Sequence, residues 1–96
     1  MTKAIIKQKI KKQKVLFSVK APEANDVFLA GDFNNWDPEA LPMEKDDEGV
    51  WKRMLKLESS LYEYKFIIDG EWKTDPQNSR MCSNRFGTEN NMLAVS

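Results

Sequence analysis

The chain of 96 residues has no histidine, a single cysteine and no long apolar run. Without histidine, Ser-His-Asp and Cys-His nucleophiles and His-ligated metal sites are excluded together. Cys82 cannot form an intrachain disulfide and has no histidine to activate it, which favours a small buried apolar residue over a nucleophile. The chain also lacks the GxxxxGK[ST] and GxGxxG loops that bind nucleotide phosphates. We therefore expect no cofactor and no metal.

Carboxylates are the one catalytic chemistry left, since acidic residues crowd around Asp32, Asp37 and Glu39 and again over residues 44–48. A glycoside hydrolase needs two carboxyl groups on opposite sides of a bond held in a cleft. A single domain of this size offers little cleft. We expect these acids to be solvated loop residues and the protein not to be an enzyme, with no catalytic residue.

No apolar stretch reaches transmembrane length, and the N-terminus lacks the apolar core and small-residue cleavage site of a signal peptide. The default expectation is a soluble cytoplasmic protein that does not bind a membrane.

The balanced charge of the chain, 15 basic and 15 acidic residues, hides an asymmetry. Residues 1–14 hold six lysines and no acid, so residues 15–96 carry a formal charge of −6. A basic arm can contact nucleic acid, but lysine-rich termini are commonly solubilising tails, and an acidic body repels phosphate backbones. We interpret residues 1–14 as a flexible tail, although Ile5, Ile6 and Ile10 could form a weak helical face or extend the first strand. We expect no nucleic-acid partner.

Apolar residues alternate with polar ones through most of residues 15–96, a pattern typical of strands with one buried face. In residues 62–68, for example, Tyr64 and Phe66 share one face and Lys65 lies on the other, before an Asp69-Gly70 turn. Residues 77–89 are predicted to be an irregular loop. The predicted strands lie in the stretches 14–21, 26–32, 41–45, 50–57, 62–68, 71–75 and 90–96. Seven short antiparallel strands indicate an all-β sandwich over residues 15–96.

Three tryptophans are many for this length. Trp51 lies in a strand and is most simply a core residue, whereas Trp36 lies among turn formers and Trp72 follows a tight turn on an edge-like strand. The last two could be exposed or could fold back over an end of the sandwich. An indole can stack on the apolar C–H face of a sugar while amide, hydroxyl and ammonium groups bind its hydroxyls. Residues with that chemistry are Asn34, Asn35, Lys65, Thr88, Asn90 and Asn91.

Three blocks resemble the carbohydrate-binding module of family 48, the glycogen-binding domain of the AMP-activated protein kinase β subunit and of branching enzymes and isoamylases. The blocks are VFLAGDFNNW at 27–36, YEYKFIIDGEW at 62–72 and FGTENN at 86–91. The resemblance spans residues 15–95 and implies an immunoglobulin-like sandwich of the early-set type. It also implies binding of α-1,4-linked glucans without cleavage.

The resemblance assigns the sugar-stacking tryptophans to Trp36 and Trp72, the lysine of the family's YKF block to Lys65, and its threonine and asparagine contacts to Thr88 and Asn90. Kinase modules carry a leucine before the Gly-Thr step that inserts into the sugar ring, and this chain has Phe86 there. A phenyl ring could stack at that place or block it. Asn34 and Asn35 are expected mainly to cap the turn that presents Trp36.

The function expected from these residues is binding of glycogen, starch-like polymers or maltooligosaccharides by a monomer. The alternative is a protein-interaction module of the same fold that docks onto a glycogen-metabolising enzyme, a starch-metabolising enzyme or a kinase complex.

Overall fold

A computed structural model describes residues 11–96 of the chain. These residues form eight strands and one short 3₁₀ turn at Asp32–Asn34. The strands are β1 (Lys12–Lys20), β2 (Val27–Gly31), β3 (Glu44–Lys45), β4 (Val50–Glu58), β5 (Ser60–Ile68), β6 (Glu71–Lys73), β7 (Met81–Ser83) and β8 (Glu89–Val95). No helix in this part of the chain has the length and apolarity needed to cross a membrane.

The strands form two antiparallel sheets. One has the order β1-β4-β3 and the other the order β2-β5-β8-β7, with β6 paired to β5 beside β8. The all-β, immunoglobulin-like antiparallel sandwich predicted from the sequence is confirmed. Because β5 pairs with β2, β6 and β8, it is the strand that links the segments of the larger sheet.

The core lies between the two sheets, and its side chains come from the inward positions of the alternating strands. Phe17 of β1 meets Tyr64 of β5 edge-on, with ring centroids 5.0 Å apart, and so joins the two sheets. Trp51 is buried, as expected, and its indole N–H donates a 2.8 Å hydrogen bond to the Ala21 carbonyl. The other large core residues are Val19, Val27, Leu29, Met43, Leu57, Phe66 and Val95.

Two local predictions differ from the structure. The predicted loop 77–89 contains β7, which pairs with β8 although it is only three residues long and has no alternating pattern. The predicted strand 41–45 is reduced to Glu44–Lys45, with one further bridge between Phe28 and Pro42. Proline has no N–H to donate, so Pro42 limits the ladder there.

Strand β1 begins at Lys12, three residues before the sandwich boundary expected from the sequence. The tail predicted over residues 1–14 falls largely on residues 1–10, which lie outside the described part of the chain, as do Ile5, Ile6 and Ile10. Its flexibility therefore stays a prediction.

Candidate functional site

An open cavity of about 840 Å³ lies on the outer face of the larger sheet. The face is identified by Lys65, which lines the cavity and alternates along β5 with the core residues Tyr64 and Phe66. The structure brings all six residues assigned from the sequence into this cavity. The nine lining residues are Asn35, Trp36, Lys65, Trp72, Asn84, Arg85, Phe86, Thr88 and Asn90.

The loop that carries Trp36 is held by its neighbours. Asn34 accepts a hydrogen bond from the Gly31 N–H and donates to the Asp37 carbonyl, both at 3.0 Å, so it caps the turn as expected. Asn35 and Trp36 both adopt left-handed backbone, with φ of 57° and 58°. Such a conformation is strained for a bulky residue and persists only where the surroundings fix it. The Trp36 position is thus set by the backbone as well as by side-chain contacts.

Trp36 and Trp72 form an angled aromatic surface. Their ring centroids are 6.3 Å apart and the ring planes meet at 41°. Trp72 lies on the short strand β6, where it is paired with Ile67 of β5, and 47% of its surface is exposed. Trp36 is half-buried, less exposed than a free loop tryptophan would be. Neither ring is folded into the core, and both contribute to the cavity wall.

Lys65 is the buried polar group of the site. Only 8% of its surface is exposed, and its Nζ donates a 3.1 Å hydrogen bond to Thr88 Oγ1. The same oxygen accepts a second bond, of 2.7 Å, from the Asn84 amide. A hydroxyl has two acceptor positions and one proton. Because Lys65 and Asn84 occupy both acceptor positions, Thr88 is left as a hydrogen-bond donor.

Asn84, which sequence reasoning missed, organises the β7–β8 turn. Its Oδ1 accepts from the N–H groups of Phe86 and Thr88 at 2.9 and 3.1 Å. Its Nδ2 also donates to Asn90 Oδ1 at 2.9 Å. An asparagine three residues before a glycine is typical of a turn, and Gly87 has a left-handed φ of +81° here. This spacing could have identified Asn84 from the sequence.

Phe86 lies at the tip of that turn with 76% of its surface exposed. The Arg85 guanidinium carbon is 5.3 Å from the ring centroid, a cation–π distance. Arg85 was also missed, because a single arginine in a loop has no pattern in the sequence. Phe86 forms part of the wall of an open cavity rather than filling it.

Asn91, another residue of suitable chemistry, does not belong to the site. It is fully buried, and its Nδ2 donates to the Asn78 carbonyl at 2.8 Å and to Met81 Sδ at 3.2 Å. Because side chains alternate along β8, Asn90 faces the cavity and Asn91 the interior.

Two carboxylates lie behind the cavity wall, and within residues 11–96 none lines it. Asp32 accepts the Trp36 indole N–H at 2.9 Å, and Glu63 accepts an Asn90 amide N–H at 2.9 Å.

Burial and the neighbouring Glu63 raise the pKa of the Cys82 thiol above its usual value. A raised pKa disfavours the thiolate, the reactive form of cysteine. The residues that the structure describes contain no group of three or more carboxylate, cysteine or histidine side chains arranged to hold a metal.

The sequence model for the glycogen recognition site of AMP-activated protein kinase matches residues 14–96. The chain belongs to this family. The match covers every strand except the first two residues of β1, and it includes all nine residues that line the cavity. The resemblance to family 48 carbohydrate-binding modules is thereby confirmed.

Proteins similar to this chain occur in plants and animals. The chain is 42% identical over 73 residues to Protein PTST homolog 2, chloroplastic, of Arabidopsis thaliana. It is 35% identical over 82 residues to Protein FLOURY ENDOSPERM 6, chloroplastic, of Oryza sativa subsp. japonica, and 36% identical over 70 residues to the 5'-AMP-activated protein kinase subunit beta-1 of Sus scrofa. The aligned parts cover 76%, 85% and 73% of this chain, but only 13%, 15% and 54% of those relatives.

The prediction of a cytoplasmic protein is wrong by this comparison, because two of these relatives are chloroplast proteins. That prediction rested on the lack of a long apolar run in the sequence. The lack of such a run does not report on import into plastids. The matched region is also a small part of both plant proteins, so its composition says little about the subcellular localisation of a whole protein that contains it.

Proposed function

We propose that this domain binds α-1,4-glucans, such as glycogen, starch-like polymers and maltooligosaccharides, without cleaving them, and that it acts as a monomer. The observation that carries the proposal is the angled pair of Trp36 and Trp72 rings, 6.3 Å apart, in a cavity lined by hydrogen-bond donors. Membership of a glycogen-recognition family supports the same function.

Stacking on the two indoles supplies the apolar part of binding. An α-1,4-linked chain curves, so consecutive glucose rings present their C–H faces at an angle, and two indoles inclined at 41° offer surfaces to match. Trp36 is held by its backbone and by its bond to Asp32, so it loses little conformational entropy when a sugar stacks on it.

Hydrogen bonds to the sugar hydroxyls come from the other side of the cavity. Thr88 is left as a donor by its two bonds, and the Lys65 ammonium carries three protons, of which one is directed to Thr88. The Asn90 amide donates one proton to Glu63 and has a second. Each group therefore has a proton for a glucose hydroxyl oxygen. Phe86, on the cavity wall, adds a third aromatic face for the same chain.

The proposal that binding is not followed by hydrolysis is supported by the composition of the cavity wall. Among residues 11–96, none of the nine side chains that line the cavity is a carboxylate. Glycosidic hydrolysis in most families uses an Asp or Glu pair flanking the scissile bond. Asp32 and Glu63 are instead engaged as acceptors for Trp36 and Asn90.

The test is retention on glycogen, together with calorimetric titration of maltoheptaose, for wild type, Trp72→Ala and Leu61→Ala. Leu61 is the matched control because it is an exposed apolar residue, 58% accessible, on β5 but outside the cavity lining. Losing one stacked ring is expected to weaken maltoheptaose binding by about tenfold or more. Leu61→Ala should bind like wild type. Unchanged glycogen retention by a folded Trp72→Ala variant would refute the proposal.

A protein-interaction module is the second candidate, and one observation favours it. Leu16 and Met54 are directly opposed between β1 and β4, and both are about half exposed on the outer face of the smaller sheet, away from the glucan cavity. Paired exposed apolar residues can mark a docking surface. Failure of the wild type to bind maltoheptaose, with co-purification of a glycogen- or starch-metabolising enzyme that Leu16→Ser/Met54→Ser abolishes, would support this function instead.

A further inference from the structure

The wall of the glucan cavity carries two cationic side chains in an otherwise acidic body, and the carboxylates of Asp32 and Glu63 lie behind it, bonded to Trp36 and Asn90. Its nine lining residues include Lys65 and Arg85 and, among the described residues, no Asp or Glu. Over residues 15–96, by contrast, acidic residues outnumber basic ones by fifteen to nine. A neutral glucan needs donors and aromatic faces but no net charge in its site. Lys65 also has a role toward neutral sugar hydroxyls, but two cations on a wall with no described carboxylate favour a ligand that carries negative charge.

Lys65 is a nearly buried cation without an ion-pair partner among the described residues. Only 8% of the Lys65 residue surface is exposed, and the ammonium group donates its hydrogen bond to the neutral hydroxyl of Thr88. Within residues 11–96 the ion pairs join Lys52 to Asp46 and Lys73 to Glu71, and Lys65 pairs with no described carboxylate. Removing a cation from water without an opposite charge is unfavourable. An anionic group in the cavity would offset this cost.

Arg85 has the geometry to contact such a group. Its guanidinium stacks on the Phe86 ring at 5.3 Å from the centroid, so the N–H groups along its edge are left for a ligand. A guanidinium edge matches two phosphate oxygens, and these charge-assisted hydrogen bonds are stronger than neutral ones. Binding of a neutral glucan as described above assigns no role to Arg85.

Resting on the proposed function, we propose that the cavity prefers α-glucan chains that carry a phosphate monoester on a glucose hydroxyl, with Arg85 contacting the phosphate and Lys65 adding to the positive potential. A phosphate monoester carries a charge of about −1.5 to −2 near pH 7. The aromatic rings and Thr88 select the glucan, and the two cations select its phosphorylated form.

The experiment compares binding of maltoheptaose with that of maltoheptaose bearing one 6-phosphate, in low salt, by calorimetry. Inorganic phosphate and glucose 6-phosphate are titrated separately, to distinguish a phosphate on a glucan from free phosphate or a free sugar phosphate. Wild type is compared with Arg85→Gln, Arg85→Lys and Arg80→Gln. Arg80 is the matched control, since it is an exposed arginine in the segment before β7 and does not line the cavity. Thermal unfolding of each variant establishes that it is folded.

We expect wild type to bind the phosphorylated heptasaccharide about tenfold more tightly than the neutral one, from the added charge-assisted bonds. The ratio of the two affinities should fall to about twofold or less in Arg85→Gln, take an intermediate value in Arg85→Lys, and stay at the wild-type value in Arg80→Gln. Raising the salt should lower the ratio in wild type. Inorganic phosphate and glucose 6-phosphate should bind far more weakly than the phosphorylated chain.

Equal affinities for the two heptasaccharides in wild type would overturn this inference and leave the proposed function standing. A ratio that persists in Arg85→Gln, or falls equally in Arg80→Gln, would also overturn it. So would binding of inorganic phosphate as tight as that of the phosphorylated chain. If neither heptasaccharide binds, the proposed function fails, and this inference fails with it.

Discussion

The indole N–H of Trp36 donates a 2.9 Å hydrogen bond to one carboxylate oxygen of Asp32, and the other oxygen accepts the backbone N–H of Glu63 at 2.8 Å. A single carboxylate thus ties the ring in the loop after β2 to the neighbouring strand β5. Because both bonds are charge-assisted, the ring is held more firmly than by packing alone. The orientation of the proposed stacking surface depends on this residue, which does not itself line the cavity.

Replacing Asp32 by alanine should therefore release the Trp36 ring. We expect maltoheptaose to bind about three- to tenfold more weakly and the free energy of unfolding to fall by about 1–3 kcal/mol, since hydrogen bonds to charged groups are lost. Calorimetry and urea denaturation measure the two effects. Asp37→Ala is the matched control, because Asp37 lies in the same loop but its carboxylate caps the Glu39 N–H. Equal losses in the two variants would contradict the role given to Asp32.

Thr88→Val removes the acceptor of Lys65 while keeping the shape of the side chain. The ammonium group then loses its partner in a nearly buried position, so we expect a loss of stability of about 1 kcal/mol, together with about fivefold weaker glucan binding. Thr74→Val, on a partly buried threonine outside the cavity, controls for the substitution itself. Wild-type affinity in Thr88→Val would show that the hydroxyl does not bind sugar.

Gly31 is required for close packing where β2 enters the Trp36 loop. A Cβ there would lie 2.5 Å from the Glu63 carbonyl oxygen and 2.7 Å from the Phe33 ring. We expect Gly31→Ala to lower the free energy of unfolding by about 2–3 kcal/mol through this overlap. Gly70→Ala, where φ is +84° and no atom lies within 4 Å, should cost only about 1 kcal/mol of backbone strain. Urea denaturation would contradict the argument if Gly70→Ala proved the more harmful change.

Tyr64 should make stability depend on alkaline pH. Burial, with a smaller contribution from Asp75, raises the pKa of its hydroxyl above the usual value near 10, against the opposing effect of the Asn78 hydrogen bond. A raised folded-state pKa means that the contribution to stability is complete below about pH 10 and is lost as the pH rises above it.

Tyr64→Phe should accordingly be less stable than wild type by about 1 kcal/mol at pH 8, through loss of the bonds to Asp75 and Asn78. The difference in the free energy of unfolding should shrink above pH 10, because only the wild type has an ionisable hydroxyl at position 64. Urea denaturation at several pH values measures it. A difference that stays constant up to pH 11 would contradict this assignment.

The fold could be predicted because its strands alternate clearly. In β5, Tyr64 and Phe66 face the core and Lys65 the opposite side, as period-two alternation requires. Strand β7 could not be predicted, since Met81, Cys82 and Ser83 have no alternation and the strand exists through pairing with β8. Pairing between distant segments depends on the whole sheet and leaves no local signal in three residues.

The cavity was partly predictable. Its aromatic and hydroxyl residues follow from the chemistry of sugar binding and from the three sequence blocks. Asn84 and Arg85 did not, because Asn84 bonds to its own turn and to Asn90, and Arg85 reaches the cavity wall through the position of the turn that places it over Phe86. The near-complete burial of Lys65 was also unforeseen. Alternation places Lys65 on the outer face, but only the tertiary structure covers it.

A glucan chain that stacks on Trp36 and Trp72 should change the surroundings of both indole N–H groups. The most direct measurement is a titration with β-cyclodextrin that follows the three indole N–H resonances by NMR, assigned with single Trp→Phe variants. We expect the Trp36 and Trp72 resonances to shift together with one dissociation constant, while the resonance of Trp51, which is hydrogen-bonded to Ala21 in the core, stays in place. Three unmoved resonances at millimolar sugar, or a shift of Trp51 alone, would contradict it.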